Sequence, residues 1–260
     1  MTAAPELAEA LARFAARERV LVALDFDGTL APIVEDPDTA APLPPALAAV
    51  RELTGLPGTS VAVVSGRTLA SLRALLGHAG PLALVGSHGA EVDSEEVGGN
   101  DGVGAREREL LARLHDAVAG IVSASPGTVL EEKPAAVVLH TRRADRATAL
   151  AATAAALLGP ARWEGVHTLP GKEVVELAVT DVSKGGALHR LRAGLGLETG
   201  GVLYAGDDTT DELAFEALDD DAGDVTVKVG PGRTAARHRV AGPDALADLL
   251  AELARLRQDR

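Results

Sequence analysis

Asp25 and Asp27 stand two residues apart at the end of an apolar run, in VLVALDFDGTL (residues 20–30). In an extended segment the period of two points both carboxylates to one side. Two acids held so close repel each other unless a cation sits between them or one keeps its proton. An all-oxygen donor set suits a hard divalent ion such as Mg²⁺ and leaves one carboxylate able to act as a nucleophile. Gly28 lets the chain turn sharply, and Thr29 adds a hydroxyl beside the acids. An isolated Asp-x-Asp-Gly also serves as a plain turn that starts a helix, so the rest of the chain must decide.

A second acidic stretch, GDDTTDE (residues 206–212), follows another apolar run and offers Asp207 and Asp208. Joined to the first, it supplies a cation with several oxygen ligands and leaves positions for water and a phosphate oxygen. Asp211 and Glu212 read as caps of the next helix. Ser65, in SGR, could be a helix N-cap, and Lys184, in SKGGAL, a solvated surface lysine. Beside paired acids and a metal, however, a hydroxyl, an ammonium and helix-start N–H groups are what a bound phosphoryl group requires. Arg67 and His88 sit at two further run ends, where they could reach a substrate. The parts explain one another as a phosphotransfer site.

These residues need elements that gather them. Short apolar runs at Val20–Leu24, Val61–Val64, Leu82–Val85 and Gly201–Ala205 predict buried strands, and helical spacing predicts helices between them. Such alternation implies a parallel sheet with right-handed crossovers, and ligands bind at the carboxyl ends of its strands. The candidate residues all follow those ends. Helices are expected over Pro5–Ala16, Ala46–Leu53, up to Leu76, Lys184–Leu195, Asp211–Leu218 and Asp244–Leu256, with a further strand at Val225–Val229. From about Val92 the rhythm changes to helix, two strands, helix, two strands, which predicts an inserted α+β module (αββαββ). The fold class is thus α/β, a Rossmann-like core with an inserted module. The expected domains are residues 1–91 and 181–260 for the core and 92–180 for the insertion.

Composition narrows the partners. The formal charge of −13 argues against nucleic acid and against anionic membranes, and 2% aromatic residues leave few surfaces on which bases could stack. An apolar fraction of 47% is ample for a core built from Ala, Leu and Val. With no cysteine there are no disulfides and no thiolate metal sites. Glu6, Glu9, Arg13 and Arg17 interrupt the N-terminus, so it does not read as a secretory signal, and the uncharged stretch near Ala147–Ala161 is too short to span a bilayer. A cytoplasmic monomer acting on a small molecule is expected.

DFDGTL, SGR, the lysine of SKGGAL and GDDTTDE, in this order, resemble the four motifs of the haloacid dehalogenase-like (HAD) phosphohydrolase superfamily. That resemblance implies Asp25 as the nucleophile and Asp27 as the acid and base. It implies Mg²⁺ on Asp25, the backbone carbonyl of Asp27 and Asp207, with Asp208 close by, and Ser65 and Lys184 on the phosphoryl oxygens. GSHGAEV, EEKPAAVVLHTR and GKEVVELAV further resemble the trehalose-6-phosphate phosphatase family over most of the chain. The narrower resemblance implies that the insertion is a substrate-selecting cap, with Glu131, Lys133, His140, Arg142, Lys172 and Glu176 as sugar contacts. The chain departs from that family's pattern at Phe26, Thr141 and Leu177-Ala178. Another sugar phosphate, such as sucrose 6-phosphate or mannosyl-3-phosphoglycerate, is the alternative substrate, and a silent sugar-phosphate sensor the alternative class.

Overall fold

A computed structural model describes residues 5–77, 80–94, 105–171, 173–180, 183–197 and 201–260. In chain order its first elements are α1 (Pro5–Ala15), β1 (Val20–Leu24), α2 (Pro44–Thr54), β2 (Thr59–Val64), α3 (Leu69–Leu76), β3 (Ala83–Gly86) and β4 (Glu91–Asp93). The insertion supplies α4 (Ala105–Ala124), β5 (Val129–Lys133), β6 (Ala136–His140), α5 (Arg146–Leu158), β7 (His167–Gly171) and β8 (Val174–Ala178). Then come α6 (Lys184–Gly194), β9 (Val202–Gly206), α7 (Glu212–Glu216), β10 (Val225–Val229), β11 (His238–Val240) and α8 (Pro243–Gln258). The chain divides into two compact units, Met1–Asn100 with Ser183–Arg260, and Asp101–Val182. β4 keeps the chain in the first unit beyond residue 91, because it turns back to pair antiparallel with β3.

Among the described residues the first unit holds one seven-stranded sheet, ordered β11-β10-β9-β1-β2-β3-β4 and parallel except at the β3–β4 edge. Both faces of the inner strands are covered, so β1 and β9 are apolar runs, and alternation decides which layer each side chain joins. Val20, Val22 and Leu24 face one core with Val61, Val63, Leu203 and Ala205. Residues from α1, α2 and α8 fill that side. Leu21 and Ala23 face the other core with Ala62, Val64, Val202 and Tyr204, filled by Ala187, Leu188 and Leu191 of α6 and by Ala214 and Phe215 of α7. Each fully buried leucine in these layers contributes about 1.5–3 kcal/mol.

Three elements begin where the sequence alone gives little sign of them. Pro44 and Pro45 start α2, since a proline in the first turn lacks only an N–H that would have no helical partner. β4 and β11 are three-residue edge strands that carry charged residues, and so lack an apolar run.

The second unit is an antiparallel four-stranded sheet, β5-β6-β8-β7, with α4 and α5 packed on β6 and β8. Leu114, Val118, Ala152 and Ala156 are the buried residues of those helices. Among the described residues no helix is long and apolar enough to cross a membrane.

Candidate active site

The period of two that turns Leu21 and Ala23 toward α6 turns Asp25 the same way, just past the end of β1. Lys184 is the first residue of α6, whose N-cap Ser183 accepts the Gly186 N–H. Its Nζ donates to Asp25 Oδ1 at 2.8 Å and to Asp211 Oδ1 at 2.7 Å. All three residues are buried, and a buried ammonium held by two carboxylates is not a solvated surface lysine. Burial alone pulls Lys184 down, but Asp25 and Asp211 outweigh it and hold the ammonium above its ordinary value. Lys184 is therefore a fixed positive charge.

Asp211 caps and also does more. Its Oδ2 accepts the Asp208 N–H at 2.8 Å, while Oδ1 accepts from both Lys184 and the Tyr204 hydroxyl, the latter at 2.6 Å. Tyr204 lies on the α6 side of β9, fully buried, with its ring edge-on to Phe215 at 5.7 Å. Burial, followed by the nearby Asp211 and Asp25 charges, pushes its phenol well above the ordinary value, so it stays a donor.

Carboxylate oxygens of Asp25, Asp207 and Asp211 lie within 4.8 Å of one another. The electrostatics ask for a cation there. Burial pushes Asp25 well above the usual carboxylate range, Lys184 draws it back, and Asp211 adds to the rise. Asp207 is pushed up to about 6, by burial first and then by Asp211 and Asp208. The backbone leaves room for a close approach, since Gly28 has φ +73° and a Cβ built on it would meet Asp207 Oδ2 at 2.0 Å. Thr29 Oγ1 beside it is buried with no hydrogen-bond partner. Hard oxygens, excess negative charge and one spare hydroxyl fit a hard divalent ion. Lys228, buried on β10, reaches the Asp207 backbone oxygen and lies 4.0 Å from Glu212 Oε1.

The β2 end forms the next part of the edge. Ser65 is buried, and its Oγ accepts the Arg67 N–H at 3.2 Å. The helix N-cap is Thr68 rather than Ser65. Arg67 turns to Asp27, donating from Nε at 2.6 Å and from Nη2 at 2.7 Å. His88 and Ser87 adopt left-handed backbone, φ 57° and 48°, at a cost on the order of 1 kcal/mol each. The loop is held by the His88 N–H to Ser65 O and the Ser87 N–H to Arg67 O. The His88 ring lies over Gly66, where a Cβ would meet Cε1 at 2.5 Å.

In the second unit, register sets one polar sheet face. Glu131 pairs with Val138 and Val138 with Glu176, while Lys133 pairs with Ala136, so all point the same way as His140. Lys133 Nζ donates to Glu176 Oε2 at 2.6 Å, each side chain only 9% exposed. His140 Nε2 lies 2.7 Å from Glu131 Oε2 on a more open part of that face. The His140 contact holds the Glu131 carboxyl below its ordinary value.

Of the residues singled out in the sequence, Asp25, Asp207 and Lys184 thus meet in one cluster. Asp27 goes instead to Arg67, and Asp208 is exposed with Thr209 Oγ1 on its Oδ1 at 3.3 Å. Arg142 lies past the end of β6 on the surface, and Lys172 is outside the described residues. Sequence reasoning missed Tyr204 and Lys228 as neighbours of the acids, and gave Asp211 only its capping role. The alternation of β9 and β10 was the available signal for the first two, since it points both toward the α6–α7 side.

Comparison with known proteins places the chain among its relatives. Residues 23–245 match the family model described as trehalose-phosphatase. A bifunctional trehalose-6-phosphate synthase/phosphatase from Thermoproteus tenax is 36% identical over 244 residues, covering 92% of this chain and 32% of that protein. A trehalose-phosphate phosphatase from Mycolicibacterium paratuberculosis is 38% identical over 208 residues, covering 76% of this chain and 51% of that protein. The chain therefore spans between a third and about half the length of these curated relatives. The C-terminal domain of a C. albicans trehalose-6-phosphate phosphatase has the same fold, with TM-score 0.78, 24% identity and 98% of each chain covered.

Proposed function

The chain belongs to the trehalose-phosphatase family, and from that premise we propose that it hydrolyses trehalose 6-phosphate to trehalose and phosphate. The observation that carries this reading is the buried contact of Lys184 with Asp25 beside Asp207, which sets a carboxylate, a fixed ammonium and an acid cluster at one sheet edge. Phosphate monoesters are among the slowest hydrolyses in water, so nucleophile, acid and cation are all needed.

In this reading Asp25 attacks phosphorus, forming an acyl phosphate as the bond to the sugar oxygen breaks. Asp27 gives its proton to that departing oxygen. Asp27 then takes a proton from the attacking water, the Asp25–phosphorus bond breaks, and free phosphate leaves. Lys184 and Ser65 hold the phosphoryl oxygens, and Lys184 keeps the Asp25 oxygen aimed. Asp25, Asp207 and the Asp27 backbone carbonyl would hold Mg²⁺, with Asp208 close by; Asp211 is occupied by Lys184, Tyr204 and the Asp208 N–H. Bound there, the ion would offset the negative charge of the phosphoryl oxygens and of the carboxylates.

Substrate choice falls to the polar face of the second unit. Glu131, Lys133, His140 and Glu176, with Arg142 and Lys172, offer charged donors and acceptors suited to a polyhydroxylated sugar. His88 borders the phosphoryl end.

The test is phosphate release from trehalose 6-phosphate, sucrose 6-phosphate, glucose 6-phosphate and mannosyl-3-phosphoglycerate, each with Mg²⁺ and with chelator. A strong, Mg²⁺-dependent preference for trehalose 6-phosphate is expected. Activity centred on another sugar would discard the substrate, and no release from any would discard the reaction.

A further inference from the structure

Lys228 lies within β10, VTVKV, a strand buried along its whole length, and its own side chain is 5% exposed. A charge so placed is costly unless a partner uses its donors. β9 ends at Gly206, the residue that Lys228 pairs with across the sheet, so the Asp207 carbonyl lies past the ladder with no strand to meet it. Lys228 Nζ donates to that carbonyl. Glu212 Oε1, 4.0 Å from the same nitrogen, has no hydrogen-bond partner among the described residues. Glu212 Oε2 accepts the Ala235 N–H at 2.7 Å and the Thr234 hydroxyl at 3.2 Å. Between these two ends, Asp211 Oδ2 accepts the Asp208 N–H. β10 and the residues after it therefore hold the acidic turn at Asp207 and at Glu212, and Asp211 holds its middle.

We propose that Lys228 is a positioning residue for metal binding: it fixes the Asp207 peptide so that the carboxylate keeps its place, and it touches neither the ion nor the substrate. The inference rests on Asp207 as a metal ligand. That carboxylate lies in a notch that only a glycine leaves, since a Cβ on Gly28 would meet Oδ2 at 2.0 Å, and its backbone must be held for it to stay there. Position and charge pull in opposite directions. A positive charge beside the site repels a cation, so its removal would tighten binding if charge were all. Losing the support behind a ligand instead weakens metal affinity, typically by about 10–100-fold.

The experiment is Mn²⁺ titration of the metal-free protein, read by electron paramagnetic resonance, for wild type, Lys228→Met, Asp207→Asn and the double variant. The number of sites reports the folded fraction, and the dissociation constant does not depend on it. Lys228→Met should bind Mn²⁺ about ten-fold more weakly than wild type. In the Asp207→Asn background the same substitution should weaken binding no further, because the carboxylate it anchors is already gone. Lys228→Leu repeats the test should methionine prevent folding. Unchanged or tighter binding in the single variant, an equal loss in both backgrounds, or failure of both Lys228 variants to fold would overturn the proposal. Mn²⁺ binding that Asp207→Asn leaves unchanged would instead remove the metal assignment beneath it.

Discussion

Tyr204 Oη and Lys184 Nζ donate to the same oxygen, Oδ1 of Asp211, from 2.6 and 2.7 Å. The lysine also holds Asp25, so a phenol that never meets solvent helps set the position of the Asp25 carboxylate. Tyr204→Phe keeps the ring against Phe215 and removes one donor from a buried charge. Stability should fall by about 1–3 kcal/mol in denaturant titrations, with a lower kcat. Unchanged values of both would mean that Lys184 alone orients Asp211.

Asp25→Asn should abolish phosphate release, because an amide does not form the acyl phosphate. Calorimetric titration with trehalose 6-phosphate should still detect binding. Appreciable turnover in this variant would remove Asp25 from the nucleophile's role.

Asp207 supplies a pH dependence. Its folded value of about 6 lies above the ordinary 3.8, so the folded chain holds the proton more tightly than the unfolded one. The stabilisation from that proton is fully present below about pH 3.8 and is lost as pH rises through about 6. Above that range the ionised group strains the metal-free protein, and a divalent ion relieves it. Mg²⁺ should therefore raise Tm by about 2–4 °C at pH 7.5, much less at pH 5, and hardly at all in Asp207→Asn. Equal shifts at both pH values would contradict the assignment.

Gly28→Ala places a methyl group where the Asp207 carboxylate lies, and does so at φ +73°. The variant should bind Mn²⁺, read by electron paramagnetic resonance, at least about ten-fold more weakly than wild type, a cost of ~1.4 kcal/mol. Retained affinity would show that Asp207 gives way without loss.

Glu176 and Glu131 differ in burial, and their alanine variants should differ accordingly. Glu176→Ala breaks a nearly buried pair and should cost about 3 kcal/mol, whereas Glu131→Ala should cost under about 1 kcal/mol. Both should depress kcat/KM for trehalose 6-phosphate more than for 4-nitrophenyl phosphate. Parallel losses on the two substrates would make the pairs purely structural.

The sheet's inner strands were legible because a strand buried on both faces is one apolar run, as in VLVAL and VLYAG. β4 and β11, three residues each at the sheet edges, carry no such run. Asp25 and Asp207 could be placed because strand ends order them. Asp211 was read as a cap because its spacing shows that role, and burial, which reveals the other, is invisible in a linear sequence. Arg67 could be placed at a strand end, but its contacts with Asp27, Pro37 and the Phe26 ring arise only in the folded chain.

β1 sits at the centre of the first unit's sheet, paired with β2 on one side and with β9 on the other, Leu21 beside Val202. On a ribosome, β1 to β4 emerge long before β9, and the whole insertion is made in between. Until then one edge of β1 stays open to wrong pairing. Lys184, Asp207 and Asp211 arrive with the same late segment that closes this edge. Covering that edge and assembling the acid cluster therefore draw on the same segment of chain, and β10 and β11 extend the sheet only afterwards.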